Sequence, residues 1–183
     1  MFKFKNTLIP GCYEIQPVVH RDKRGSFVKI YNKNAYDKLN LCSNFEEEFY
    51  SVSNKNVVRG MHFQKPPHHH VKLVYCTSGN VFDVLLDLRQ GSPTYGKCFS
   101  FQLSAEKANS LYIPEGLAHG FCALTDSATL VYKVGSDYSP EHDTGINPFT
   151  LGIHWPTSNP IISDRDKCLP SYDNFLSPFF YEQ

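Results

Sequence analysis

His62 stands in the strand-like run Arg59-Gly60-Met61-His62-Phe63-Gln64, shortly ahead of Lys72, and a second histidine, His119, follows the turn Pro114-Glu115-Gly116. A neutral imidazole can remove a carbon-bound proton, and an ammonium can hold the enolate oxygen that results. In a regular strand over 57–64, Gly60, His62 and Gln64 share one face, with Met61 and Phe63 on the other. The face carrying His62 and Gln64 is then the polar, ligand-facing one. A lone strand histidine is more often a buried residue bonded to a carbonyl. Lys72 shifts the balance, because it shares a strand face with Val74 and Cys76, where an ammonium needs an anion or a developing one. A structural ion pair of Lys72 with Asp83 or Asp87 is the plainer alternative.

Tyr132, in Ala128-Thr129-Leu130-Val131-Tyr132, has no local feature that sets it apart from the other 10 of the 11 tyrosines. Asp166 lies in Ser163-Asp164-Arg165-Asp166-Lys167, a stretch that reads as a solvated loop. A carboxylate bonded to a histidine fixes its tautomer and raises its basicity, and Asp164 is as good a local candidate as Asp166. His68 and His70 have the spacing of a pair of metal ligands, and Pro114-x-Gly116-x-x-His119 could supply a third. The glutamate expected a few positions later is absent, and Lys72 stands near its place, where a cation opposes metal binding. The metal-free reading is preferred. Arg21, Arg24, Arg59 and Arg89 fall in or beside strands, where rigid donors could clamp a diphosphate or form surface ion pairs.

Many short strands must position these groups. The segments 27–31, 49–53, 57–63, 71–76, 81–88, 97–103, 110–113, 121–124 and 128–134 read as strands, with a hairpin predicted across Ser78-Gly79-Asn80. Phe82, Val84, Leu86 and Leu88 alternate with Val81, Asp83, Leu85 and Asp87, so one face is core and the other suits a pocket wall. A helix is predicted over 34–41 and a short turn over 104–108. This pattern predicts an all-β, antiparallel jelly roll with one or two short helices. The 183 residues suit one domain, 1–183, with an irregular strap from Leu169 onward. Lys plus Arg and Asp plus Glu balance at 18 each, which argues against a nucleic-acid binder. The six cysteines form no CxxC pair, the first residues lack the apolar run of a secretory signal, and no segment resembles a membrane span. A cytoplasmic location with reduced thiols is expected.

Taken in order, the words of the chain resemble the dTDP-4-dehydrorhamnose 3,5-epimerase family. They are Asp22-Lys23-Arg24-Gly25-Ser26-Phe27, Val57 to Gln64, Lys72-Leu73-Val74, Gly79-x-Val81-Phe82-Asp83-Val84, Asp87 to Gly96, Ile113 to Phe121, Tyr132-Lys133, Tyr138-Ser139-Pro140-Glu141, Gly152-Ile153-x-Trp155-Pro156 and Ser163-x-x-Asp166. The resemblance implies a cupin jelly roll, usually a homodimer, that needs no metal or organic cofactor. It also implies epimerisation at carbon 3, carbon 5 or both of a nucleotide-diphospho-4-keto-6-deoxy sugar, in deoxysugar biosynthesis for surface polysaccharide. It further implies His62 as base, oriented by Asp166, with Lys72 stabilising the enolate and Tyr132 returning the proton from the opposite face. Arg24 and Arg59 would hold the diphosphate, Phe27 would lie near the sugar or base, and His119 and Asp83 would complete the pocket.

Two departures bear on the substrate. Where the family commonly shows Gln-x-Asn-x-Ser, this chain has Glu47-Glu48-Phe49-Tyr50-Ser51, so Glu47 replaces an amide at the nucleotide end. After Gly145-Ile146 the usual Trp-Asn-Asp-Pro is shortened to Asn147-Pro148. The altered run is similar to a branch acting on GDP-linked 4-keto-6-deoxyheptoses. A sugar 3,4-ketoisomerase and a non-catalytic sugar-binding cupin are the alternatives.

Overall fold

The computed structural model describes residues 2–182. Thirteen strands run in chain order: β1 (Lys3–Asn6), β2 (Tyr13–Gln16), β3 (Val19–Asp22), β4 (Gly25–Val28), β5 (Glu47–Asn54), β6 (Val58–Gln64), β7 (Lys72–Ser78), β8 (Asn80–Asp87), β9 (Cys98–Ser104), β10 (Ser110–Ile113), β11 (Leu117–Ala123), β12 (Ser127–Val134) and β13 (Asp143–Gly145). Two short helices, α1 (Lys33–Asp37) and α2 (Asp164–Lys167), and two 3-10 turns complete the regular structure. A six-stranded sheet, β1-β2-β10-β7-β12-β5, packs on a five-stranded one, β13-β6-β11-β8-β9, and β3-β4 form a separate hairpin. Every strand pairing is antiparallel. This is the jelly roll that the alternating pattern predicts.

The predicted hairpin across Ser78-Gly79-Asn80 is corrected. β7 pairs with β10 and β12 in one sheet, whereas β8 pairs with β11 and β9 in the other. The chain turns a corner between sheets at Gly79, whose φ is +71° and where an added Cβ would lie 2.2 Å from Thr125 Oγ1. A hairpin and a corner share the same turn residues, and only burial of both faces of β8 tells them apart. Val81 and Leu85 enter the core between the sheets with Val74, Leu111 and Leu130. Val84, Leu86 and Leu88 pack on the opposite side with Met61, Phe63, Ile146 and Phe179. The irregular C-terminal strap supplies that second cover. Burying a side chain of this size contributes roughly 1.5–3 kcal/mol, so neither face of β8 can be left to solvent.

The helix predicted over 34–41 is shorter. It begins after Asn32, whose side chain accepts from the Ala35 N–H, and ends at Asp37. Ser163 caps α2 in the same way through the Asp166 N–H, so the stretch read as a loop is a helical turn. β1, β2, β3 and β13 had no counterpart among the predicted strands.

Candidate functional site

Pairing register places the polar groups. β11 lies between β6 and β8, with His119 opposite His62 on one side and Leu85 on the other. Asp83 is two residues from Leu85 on the same face, so it sits diagonal to His119. On the facing sheet Tyr132 lies opposite Val74 of β7 and Phe49 of β5. Lys72 and Ser51 are each two residues from those partners and share their face. A cavity of about 440 Å³ opens between these walls, within the usual range of small-ligand sites. His62, Gln64, Arg59 and His119 line it from one sheet; Lys72, Tyr132, Glu47, Phe49 and Ser51 line it from the other.

His62 Nε2 lies 2.8 Å from Asp166 Oδ1, and the other carboxylate oxygen accepts the Gly60 N–H at 3.2 Å. Gly60 has φ +130°, and a Cβ there would lie 2.5 Å from the Gly120 Cα, so only glycine permits this crossing. Burial acts to raise the Asp166 pKa, but the His62 bond and charge, the Gly60 N–H and Arg165 hold it below the usual carboxylate value. An ionised Asp166 accepts from Nε2–H, which leaves the lone pair on Nδ1 of His62. Asp164 is instead exposed and paired with Lys167.

Lys72 Nζ donates to the His62 carbonyl at 3.1 Å. Neither Asp83 nor Asp87 forms an ion pair with it among the described residues; Asp87 is engaged by Arg89, Ser92 and Thr94. Burial pushes the Lys72 pKa down to about 8, against the upward pull of Asp143 and Asp83. His119 Nε2 lies 2.7 Å from Asp83 Oδ2, and burial raises the Asp83 pKa against the opposing pull of His119 and Lys72. The Tyr132 ring stacks on Phe49 at 4.8 Å, meets the His119 ring edge-on at 6.0 Å, and its hydroxyl is 3.1 Å from Ser51 Oγ. Burial raises the Tyr132 pKa, so the phenol is neutral and a competent acid only toward a strong base.

The other predicted groups fall into three sets. Arg59 reaches the cavity and donates to Ser53 Oγ and the Val52 carbonyl. Glu47 lines the cavity, while its neighbour Glu48 pairs with Lys133. Gln64 also lines it, but its amide is committed to the His68 and Asp137 carbonyls and the Ser139 N–H, which makes it a brace for two loops. Arg24 and Phe27 are not on the wall of this cavity. Both belong to the exposed β3-β4 hairpin, where Arg24 pairs with Asp22 at 2.6 Å and Phe27 is 65% exposed. The three histidines considered as metal ligands turn to separate partners: His68 to His142, His70 to Ser136 and His119 to Asp83.

Sequence reasoning assigned no role to Phe49, Ser51, Tyr138, Asp143 or Arg165, all of which line the cavity, as does His70, which was weighed only as a metal ligand. Arg165 and Asp143 pair at 2.6 Å. Their signal was faint. Ser51 and Phe49 occur in the altered run before β6, and Arg165 precedes Asp166, but spacing alone gives none of them a direction.

The family description dTDP-4-dehydrorhamnose 3,5-epimerase matches residues 6–174. A dTDP-4-dehydrorhamnose 3,5-epimerase of Shigella flexneri is 42% identical over 163 residues, 87% of this chain and 90% of the relative. A dTDP-4-dehydrorhamnose 3-epimerase of Streptomyces niveus is 40% identical over 162 residues, 87% of this chain and 78% of the relative. The crystal structure of a dTDP-6-deoxy-D-glucose-3,5-epimerase from Legionella pneumophila Philadelphia 1, in complex with dTDP-4-keto-L-rhamnose, superposes with a TM-score of 0.94 at 32% identity and covers 100% of both chains. With one family description spanning most of its length and relatives of this identity along nearly all of it, the chain belongs to the dTDP-4-dehydrorhamnose 3,5-epimerase family and is an isomerase.

Proposed function

We propose that this chain epimerises carbon 3, carbon 5 or both of a nucleotide-diphospho-4-keto-6-deoxy sugar through His62, Lys72, Tyr132 and Asp166. The observation that carries this is the placement of His62 and Tyr132 on opposite sheets across one cavity. Inversion needs a base on one face of the sugar and an acid on the other. His62, held by Asp166, takes the proton next to the ketone. The Lys72 ammonium bonds the oxygen that gains charge, and its lowered pKa makes it a better proton-sharing partner for an enolate than an ordinary lysine. Tyr132 then delivers its proton from the far side. His119 and Asp83 support Lys72 and the tyrosine ring, and Arg59 supplies charge for the diphosphate. The chemistry written here uses these side chains alone and calls on no metal or organic cofactor.

We further propose that the unit of function is the single domain 1–183 and that it works in the cytoplasm. A homodimer explains Arg24 and Phe27, since a second copy's hairpin can present them to a cavity their own chain does not. Mixing an Arg24→Ala chain with a His62→Ala chain then restores activity through heterodimers, and sedimentation shows the dimer.

Proton NMR in heavy water with dTDP- and GDP-linked 4-keto sugars tests the reading. Both bases are included because Glu47 and Phe49 form one wall. Exchange with inversion at carbon 3 or 5 is expected. Tyr132→Phe, which keeps the ring stacked on Phe49, should wash in deuterium while making little inverted product. Wild-type inversion by that variant removes Tyr132 from the mechanism.

A further inference from the structure

Each inversion leaves two debts to solvent: a proton on His62 and a phenolate at Tyr132. The first is easily met, because the His62 side chain is 28% exposed. The second is harder. Tyr132 is 8% exposed, with one ring face against Phe49 and an edge toward His119. A sugar in the cavity closes the remaining side. Among the described residues, the only hydrogen-bond partner of the Tyr132 hydroxyl is Ser51 Oγ, at 3.1 Å.

Ser51 is well placed to meet that need. It lies on β5, the edge strand of the six-stranded sheet, directly opposite Leu130 and diagonal to Tyr132. Its side chain is partly exposed and lines the cavity beside Glu47 and Phe49. A serine hydroxyl is both donor and acceptor, so it can give one proton and take another without changing charge. We infer that Ser51 is the positioning residue that returns the proton to Tyr132 between inversions, linking a buried acid to solvent at the sheet edge.

The step balances. The Ser51 O–H bond breaks as the Tyr132 O–H bond forms, and Ser51 takes a proton from a solvent water. The hydroxide left behind is neutralised by the proton that His62 releases, so one inversion consumes no net proton. The role also suits repeated chemistry. If two carbons of one bound sugar are inverted, Tyr132 must be recharged before the sugar leaves, when the open side of the cavity is occupied.

This inference rests on Tyr132 as the acid, and the experiment separates the two claims. Inversion is followed by rapid quench with a turned-over dTDP- or GDP-linked 4-keto sugar, first with enzyme in excess and then with substrate in excess. For Ser51→Ala, the rate of the first inversion with enzyme in excess should stay within about twofold of wild type, while steady-state turnover, and any second inversion of the same bound sugar, falls about tenfold or more. The solvent deuterium effect should grow in steady state and in any second inversion, and not in the first. Ser51→Thr, which keeps the hydroxyl, should restore steady-state turnover. An equal loss already in the first inversion would make Ser51 a support for the tyrosine ring and overturn the relay. Unchanged kinetics would mean that water recharges Tyr132 directly, and would overturn it too. Tyr132→Phe, run in parallel, reports on the parent reading: if it inverts sugar normally, that reading fails and the relay with it.

Discussion

Two imidazole–carboxylate pairs have almost the same geometry, 2.8 Å for His62–Asp166 and 2.7 Å for His119–Asp83; their imidazoles line one cavity, and the buried carboxylates, Asp83 included, stand behind its wall. Their surroundings differ. The His62 side chain is 28% exposed and that of His119 is 4%. Asp166 satisfies both oxygens, one with His62 and one with the Gly60 N–H, and is held below the usual carboxylate pKa. Asp83 keeps one buried oxygen without a partner among the described residues, and burial raises its pKa. A base must meet its substrate and hold its tautomer through a stable anion behind it. The first pair meets these requirements of the proposed base, whereas the second is closed in by packing. Geometry within each pair would not separate them; desolvation does.

The largest test of this contrast is exchange itself. His62→Asn should lower deuterium exchange by about 10³-fold or more, the range a positioned base contributes. His119→Asn should lower turnover by about tenfold to 10²-fold while exchange stays measurable, because the base survives. Heavy-water NMR on the two variants decides the matter, and the reverse ranking would assign the base to the buried pair. Asp166→Asn should fall between them, since His62 stays in place but loses the group that fixes its tautomer.

A smaller effect appears on the alkaline side. Lys72 is held near pKa 8, from an ordinary 10.5, and Asp83 and Asp143 pull it upward. If its ammonium holds the enolate, kcat should decline as pH passes about 8. Asp83→Asn removes one supporting charge and should move that limb to lower pH. Asp166→Asn, which does not act on Lys72 in this way, should leave the limb where it is. Stability runs the other way: the unfolded chain binds the Lys72 proton more tightly, so the fold gains stability as pH rises from about 8 to 10.5. Lys72→Met should therefore be inactive yet more stable near neutrality by on the order of 1–3 kcal/mol. A kcat profile flat to well above pH 9 would remove the ammonium from the mechanism.

The contrast between the pairs was only half visible in the sequence. Alternation in 81–88 put Asp83 on the same face as Leu85, and the run 57–64 put His62 opposite Met61 and Phe63. Both follow from the period of a strand. Nothing in that period shows that β7 and β8 part into different sheets, because Ser78-Gly79-Asn80 serves a hairpin and a corner equally. Asp166 could not be told from Asp164, since the choice depends on Ser163 starting a helical turn and aiming one carboxylate inward. β1, β2 and β3 went unread because their pattern is mostly polar; their strand state comes from pairing with neighbours. Ser51 and Phe49 gained meaning only when β5 was seen lying beside Tyr132.

The smallest and most direct test is acid stability, where the two carboxylates should act with opposite sign. Asp166 has a lowered folded pKa, so its contribution is present above the unfolded value of about 3.8 and fades as pH falls below it. Asp83 has a raised folded pKa, so its ionisation opposes the fold, and stability declines as pH climbs upward from about 3.8 through the folded value. Thermal melts across this range should show Asp166→Asn losing stability at neutral pH, on the order of 1 kcal/mol, with the deficit closing in acid. Asp83→Asn should lose little at neutral pH and should lose the decline that the wild-type carboxylate imposes. An amide at position 83 can still meet His119 Nε2, whereas one at 166 cannot accept from both His62 and Gly60 as a carboxylate does. Matching profiles for the two variants would mean that both carboxylates stand in equivalent environments, and the division between a working pair and a packed pair would collapse.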